Sequence, residues 1–140
     1  MLKKVLKLTM LMIIGVTLCA CSFGKLTAKK LVGTYTDATN NATMEVTKNA
    51  DDSVSIKIER KTEPNDINYW TMTAKLEETK LNYADSELNR KVFNAETGEE
   101  IISIQEYKDK SGSFDAEKDK ISWTGAEEED YKGFVFVKNK

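Results

Sequence analysis

The stretch Val54-Ser55-Ile56-Lys57-Ile58-Glu59 decides the fold class. Apolar and polar residues alternate without a break. A period of two is the pleat of a β-strand and not the 3.6-residue turn of a helix. The apolar positions are β-branched, which suits a half-buried pleated surface. Downstream, Trp70-Thr71-Met72-Thr73-Ala74-Lys75-Leu76 repeats the pattern. Pro64-Asn65-Asp66 lies between the two runs and supplies turn chemistry. The pair therefore predicts a β-hairpin with one wet face and one core face.

Working outward, Met44 and Val46 alternate with Glu45 and Thr47, and Leu81 and Tyr83 flank Asn82. Ile102 and Ile104, Ile121 and Trp123, and the run Phe134 to Val137 follow. Turn signals fall at Asn40-Asn41, Asn49 to Asp52, Glu77 to Thr79, Thr97-Gly98, Lys110-Ser111-Gly112 and Glu117 to Asp119. Strands at intervals of about 8–12 residues predict an all-β, antiparallel up-and-down meander. About eight or more such strands close into a small barrel. Asp85 to Phe93 offers a helical alternative, with Leu88 and Val92 four apart, but its hairpin-like neighbours favour a strand.

The chain has 140 residues, enough for one domain. It is 40% hydrophobic and 31% charged, which excludes a disordered tail and a polytopic membrane protein. It has no histidine. That removes His-based triads, Cys-His dyads, His-ligated zinc and the usual pH switch.

The N-terminus reads as an export signal. Lys3, Lys4 and Lys7 precede an apolar run from Leu8 to Leu18, too short to span a bilayer and suited to a signal-peptide helix. Leu18-Cys19-Ala20-Cys21 then resembles the bacterial lipobox, whose small residue precedes the cysteine that is modified. The resemblance implies cleavage between Ala20 and Cys21 and a diacylglyceryl thioether on Cys21, which attaches the protein to the membrane. The alternatives are an ordinary secretory signal or an uncleaved anchor. The expected organisation is a signal peptide over 1–20, a lipidated tether over 21–30 and a single β domain over 31–140. A short helical turn after Thr27, running through Leu31 and ended by Gly33, fits the tether's end.

Maturation then removes Cys19 and modifies Cys21, so the exported domain carries no free thiol, no disulfide and no thiolate metal site. Three of the 21 basic residues leave with the signal, and 18 face 23 acidic ones, a net charge of −5. That sign argues against nucleic acid as a partner. Lys25, Lys29 and Lys30 lie beside the lipid, within reach of anionic head groups or simply solvated. Only Arg60 and Arg90 are arginine.

Gly33-Thr34-Tyr35 resembles the opening of lipocalin-like barrels, with tyrosine in place of their usual tryptophan. The order of further features resembles small secreted proteins and lipoproteins of Gram-positive, often clostridial, bacteria. Those features are Ala42-Thr43-Met44, a hairpin carrying Trp70, Ser111-Gly112-Ser113-Phe114, Ile121-Ser122-Trp123 and a final Gly133-to-Phe136 strand. The likeness spans roughly residues 31–138 and implies a lipocalin-like barrel but no activity.

Tyr35, Trp70, Tyr83 and Trp123, with Phe93, Phe114 and Phe136, are the candidate pocket. They line a cavity for a small apolar ligand, or they fill the interior, which a small barrel's limited volume favours. Glu127-Glu128-Glu129-Asp130 is a contiguous acidic run, whereas hard cations need oxygens converging from a spaced loop. Asp51-Asp52 and the Asp115/Asp119 pair are weaker candidates of the same kind. Ser111-Gly112-Ser113 is similar to the serine-glycine motif of bacterial lysozyme-inhibitor lipoproteins, but reads more simply as a hairpin loop. Asn41-Ala42-Thr43 fits a glycosylation sequon without meaning in a bacterial lipoprotein. No catalytic set, cofactor or metal is implied. The expected function is non-enzymatic binding of a small apolar ligand by a lipid-anchored extracytoplasmic domain. Interaction with an envelope protein, as an inhibitor or accessory, is the alternative.

Overall fold

The computed structural model describes residues 25–127 and 133–140. The signal segment, Ala20 and Cys21 lie outside them. A single turn of helix, α1 (Ala28–Leu31), precedes eight strands. These are β1 (Gly33–Asp37), β2 (Ala42–Lys48), β3 (Val54–Glu63), β4 (Asp66–Glu77), β5 (Lys80–Phe93), β6 (Glu100–Ala116), β7 (Lys120–Ala126) and β8 (Val135–Lys138). Every strand pairs antiparallel with the next. β8 returns to β1 through Tyr35 opposite Lys138 and Thr36 opposite Val137, closing the ring. The fold is the expected all-β meander.

The deciding hairpin pairs as its pattern predicts. Ile56 stands opposite Met72, and Ile58 opposite Trp70. Directly opposed residues share a face, so the apolar sets of both strands point inward together. Asp85 to Phe93 is strand, the second half of β5. Thr27 sits at the N-cap of α1, but its side chain makes no capping bond; its backbone carbonyl accepts from the Lys30 N–H instead.

One expected turn is overturned. Lys110-Ser111-Gly112 lies inside β6, and Ser111-Gly112-Ser113 is not a hairpin loop. Gly112 stands opposite Tyr83. A Cβ there would come within 2.1 Å of the Tyr83 hydroxyl and 2.3 Å of the Gly125 carbonyl oxygen. The glycine admits a close neighbour and does not turn the chain.

The strands differ greatly in length. β4, β5 and β6 run 12, 14 and 17 residues, against 5, 7, 7 and 4 for β1, β2, β7 and β8. At about 3.3 Å per residue, β5 overreaches β2 by roughly 20 Å. Register shifts between β5 and β6, at Tyr83/Ser86, Ser86/Leu88 and Leu88/Asn89, bend the pair where it leaves the ring. The molecule thus has a closed half and a projecting lobe built from β3 to β6.

Strand alternation assigns the ends. Residues 25–27, α1, the β2–β3, β4–β5 and β6–β7 turns and the C-terminus lie at the closed end. The β3–β4 and β5–β6 turns lie at the tip of the lobe. Leu31 of α1 is fully buried and plugs the closed end over the core. Asp37, also buried, accepts from the Asn40 backbone N–H at 3.1 Å, the Asn40 side-chain amide at 2.7 Å and the Val135 N–H at 2.9 Å. It ties the β1–β2 turn to β8 beside the ring's shortest seam.

Candidate functional site

Two regions compete as the site: the aromatic interior and the inner face of the lobe. Tyr35, Trp70, Tyr83 and Trp123 are all buried, as are Phe114 and Phe136. Phe93 is not among them; it is half-buried near the lobe tip.

The buried rings pack on one another. Trp123 lies 5.7 Å from Trp70 edge to face, 5.0 Å from Phe114 and 6.1 Å from Phe134. Tyr83 lies 5.5 Å from Phe114. These spacings are those of contacting aromatic pairs. Polar tips are satisfied within the stack. The Trp123 indole donates to the Tyr83 hydroxyl at 2.9 Å, and that hydroxyl donates to the Gly125 carbonyl at 3.4 Å. The Trp70 indole donates to the Tyr107 hydroxyl at 2.8 Å. The Tyr35 hydroxyl donates to the Leu31 carbonyl at 2.6 Å, fastening β1 to α1.

Burial, aided by Asp119, pushes the Tyr35 phenol up to about 12. Burial also raises Tyr83, partly opposed by the Trp123 hydrogen bond. Both phenols are neutral donors at ordinary pH. The Ser86 hydroxyl is the exception to satisfaction: it is buried and finds no partner among the described residues. It sits between two register shifts of β5, where a bulge turns a polar residue inward.

The lobe presents a different inner face. Arg60, Asn68, Arg90 and Ile104 stand opposite one another in a row across β3, β4, β5 and β6. The chain's two arginines are therefore on one face, separated by one strand. The Arg60 guanidinium lies 5.1 Å from the Phe134 ring centre, capping the aromatic interior. Arg90 grips the Asp66 carboxylate with two nitrogens, its Nε at 2.9 and 3.1 Å from the two oxygens. That guanidinium holds the Asp66 carboxyl below its usual range. Beside the pair runs an open cleft of about 470 Å³ lined by Thr62, Asp66, Asn68, Leu88, Arg90 and Tyr107, among others.

The lobe also exposes apolar surface. Ile101, Ile102 and Ile104 of β6 are 61%, 44% and 45% exposed. Among the described residues, β6 pairs with β7 only from Gly112 onward, so Glu100 to Glu106 is bonded to β5 alone. This is an edge strand with apolar side chains.

Sequence reasoning missed Tyr107 and the arginine row. Leu88 stands opposite Tyr107 while Asn89 stands opposite Gln105, so Glu106 is an extra residue that swings Tyr107 inward. Alternation counted from Ile102 and Ile104 puts Tyr107 on the wrong face. The acidic candidates stay dispersed. Glu127 accepts from the Ser111 N–H at 2.9 Å; Glu128 to Asp130 lie outside the described residues. Asp51 accepts from Ser53, and Asp52 pairs with Lys48 at 3.1 Å. Among the described residues, no group of three or more His, Cys, Asp or Glu is placed to hold a metal ion, and no helix is long and apolar enough to cross a membrane.

No protein-family model, curated protein or solved structure matches this chain.

Proposed function

We propose that this is a lipid-anchored, extracytoplasmic, non-enzymatic binding module whose binding surface is the lobe and whose partner is an envelope protein. The observation that carries the reading is the one-sided β6 segment with exposed Ile101, Ile102 and Ile104. An unpaired edge offers a row of backbone donors and acceptors, and an extended partner segment completes it by strand addition. Apolar side chains at the same place add burial to those hydrogen bonds.

The position of Lys25 supports this reading: it lies at the closed end, so a lipid on Cys21, four residues earlier in the chain, would turn the lobe away from the bilayer. The alternative of a small apolar ligand within a lipocalin-like barrel has less support, because Trp70, Trp123 and Phe114 occupy the interior with each other. Such a ligand would have to displace them.

A photo-crosslinking residue at Gln105, expressed in the native host, tests the proposal. A discrete crosslinked protein is expected, and Ile102→Ser with Ile104→Ser should abolish it. No crosslink, together with a small-molecule adduct on the intact protein in native mass spectrometry, would favour the ligand reading instead. The anchor is tested separately: Cys21→Ala should lose palmitate labelling and leave the membrane fraction.

A further inference from the structure

We infer that the strand which completes the lobe is a basic one: an extended segment whose apolar residues cover Ile102 and Ile104 and whose lysines or arginines lie at its two ends. This rests on the strand-addition reading above and adds the chemistry of the partner. Among the described residues, the edge from Glu100 to Glu106 is bonded to β5 alone. In an antiparallel ladder alternate residues turn both backbone groups away from their partner, so about half of this edge offers an N–H and a C=O to a new neighbour. Register assigns the side chains. Ile104 and Ile102 stand opposite Arg90 and Val92 on the inner face of the lobe, while Ser103 and Gln105 stand opposite Lys91 and Asn89 on the outer face.

A strand laid along this edge therefore meets apolar side chains on one face and polar ones on the other. Directly opposed residues share a face, so its own sequence alternates, apolar against Ile102 and Ile104 and polar between. Charge sets the ends. Glu96 and Glu99 precede the edge in the β5–β6 turn and Glu106 closes it, and all three are exposed. Glu100 is held by Lys91 at 3.3 Å, and Asp66 by Arg90. With every charge counted, paired or not, residues 59–69 and 87–110 hold nine carboxylates against six lysines and arginines, a net charge of −3.

Adjacent strands lie about 4.8 Å apart, inside the screening length of about 8 Å at physiological salt. Cationic ends on the added strand thus gain opposite-charge pairs across the new ladder that neutral or acidic ends do not. A second copy of this chain fits poorly. The antiparallel register that matches Ile102 with Ile104 of the other copy sets Glu100 against Glu106 at both ends, and it brings together two lobes of the same sign.

The test uses the full chain in a non-ionic detergent, with the photo-crosslinking residue at Gln105. The probes are two short peptides of alternating valine and threonine, one with lysines at both ends and one with glutamates. The lysine-ended peptide should crosslink about tenfold more, and about 0.5 M salt should close the gap. Methylating the backbone nitrogens of that peptide, so that they cannot donate to β6, should remove the crosslink. Glu96→Lys, Glu99→Lys and Glu106→Lys together turn the lobe from −3 to +3 and should reverse the preference. Glu45→Lys, Glu77→Lys and Glu117→Lys change the total charge equally, at exposed positions away from the lobe, and should leave the preference as it was. Near-UV circular dichroism of the tryptophans checks that each variant is folded. Equal crosslinking of the two peptides, still lost on methylation, overturns the basic partner and leaves strand addition standing. Crosslinking by neither peptide, or crosslinking indifferent to methylation, overturns strand addition and this inference with it.

Discussion

The closed half and the lobe are built from the same strands and obey the same alternation, yet they differ in what their inner faces carry. In the closed half, Ile56, Ile58, Met72 and Leu81 face the interior and are buried. A few residues further along the same strands, the inward positions are Arg60, Asn68 and Arg90. The difference is the far wall. Around the closed half, β1, β2, β7 and β8 complete the ring, so an inward side chain leaves water and gains about 25 cal/mol per Å² of apolar area. Beyond their ends no strand among the described residues faces the lobe, and of the inward positions there Arg90 is exposed and Asn68 only half-buried. An apolar residue there gains little, and a charged one costs little. A face released from core packing is free to carry recognition chemistry.

The largest test of this contrast is at the centre of the stack. Trp123→Ala should lower stability by ~3–5 kcal/mol, measured by chemical denaturation, because the ring touches Trp70, Phe114 and Phe134 and a cavity would remain. A loss under about 1 kcal/mol would mean that the interior does not carry the fold.

Next is Gly112→Ala, expected to cost ~1–3 kcal/mol because a methyl there collides with the Tyr83 hydroxyl and the Gly125 carbonyl. Displacing Tyr83 also strains its bond with Trp123, so the tryptophan fluorescence should shift.

The third test is alkaline. The unfolded Tyr35 phenol ionises near 10 and the folded one near 12. Above pH 10 the unfolded state therefore gains stability by ionising first, and the folded state loses ground until about pH 12. Unfolding midpoints should fall across that window, and Tyr35→Phe should flatten the decline. An unchanged slope would separate Tyr35 from the sealed interior.

The smallest stability effect is expected in the lobe. Ile104→Ser should change stability by no more than ~0.5 kcal/mol, since the side chain is exposed. A cost comparable to Trp123→Ala would erase the distinction between the two halves.

Much of the closed half was legible because period-two patterning is a local signal. Val54 to Glu59 and Trp70 to Leu76 each state which residues face inward, and the register confirms that they do so together. The lobe was less legible for a physical reason. Its inner and outer faces are both partly wet, so hydrophobicity no longer marks the side. Bulges compound this, because one extra residue at Glu106 reverses the phase for Tyr107. Ser111-Gly112 failed in another way: a glycine needed for a close neighbour looks the same in sequence as a glycine needed for a turn.

The sequence alone determined the class of element, the number of strands to within one or two, the aromatic core candidates and the expectation of a lipidated N-terminus at Cys21. Each is carried by residues near one another in the chain. The tertiary structure decided what depends on distant residues meeting. It closed the ring through Tyr35 and Thr36 against Lys138 and Val137. It packed Trp70 against Trp123, aligned Arg60 with Arg90, and gathered Lys30 with Lys138 at the tether end. Alternation tells a side chain which way to point; only the length of the strands across the barrel decides whether anything is there to meet it.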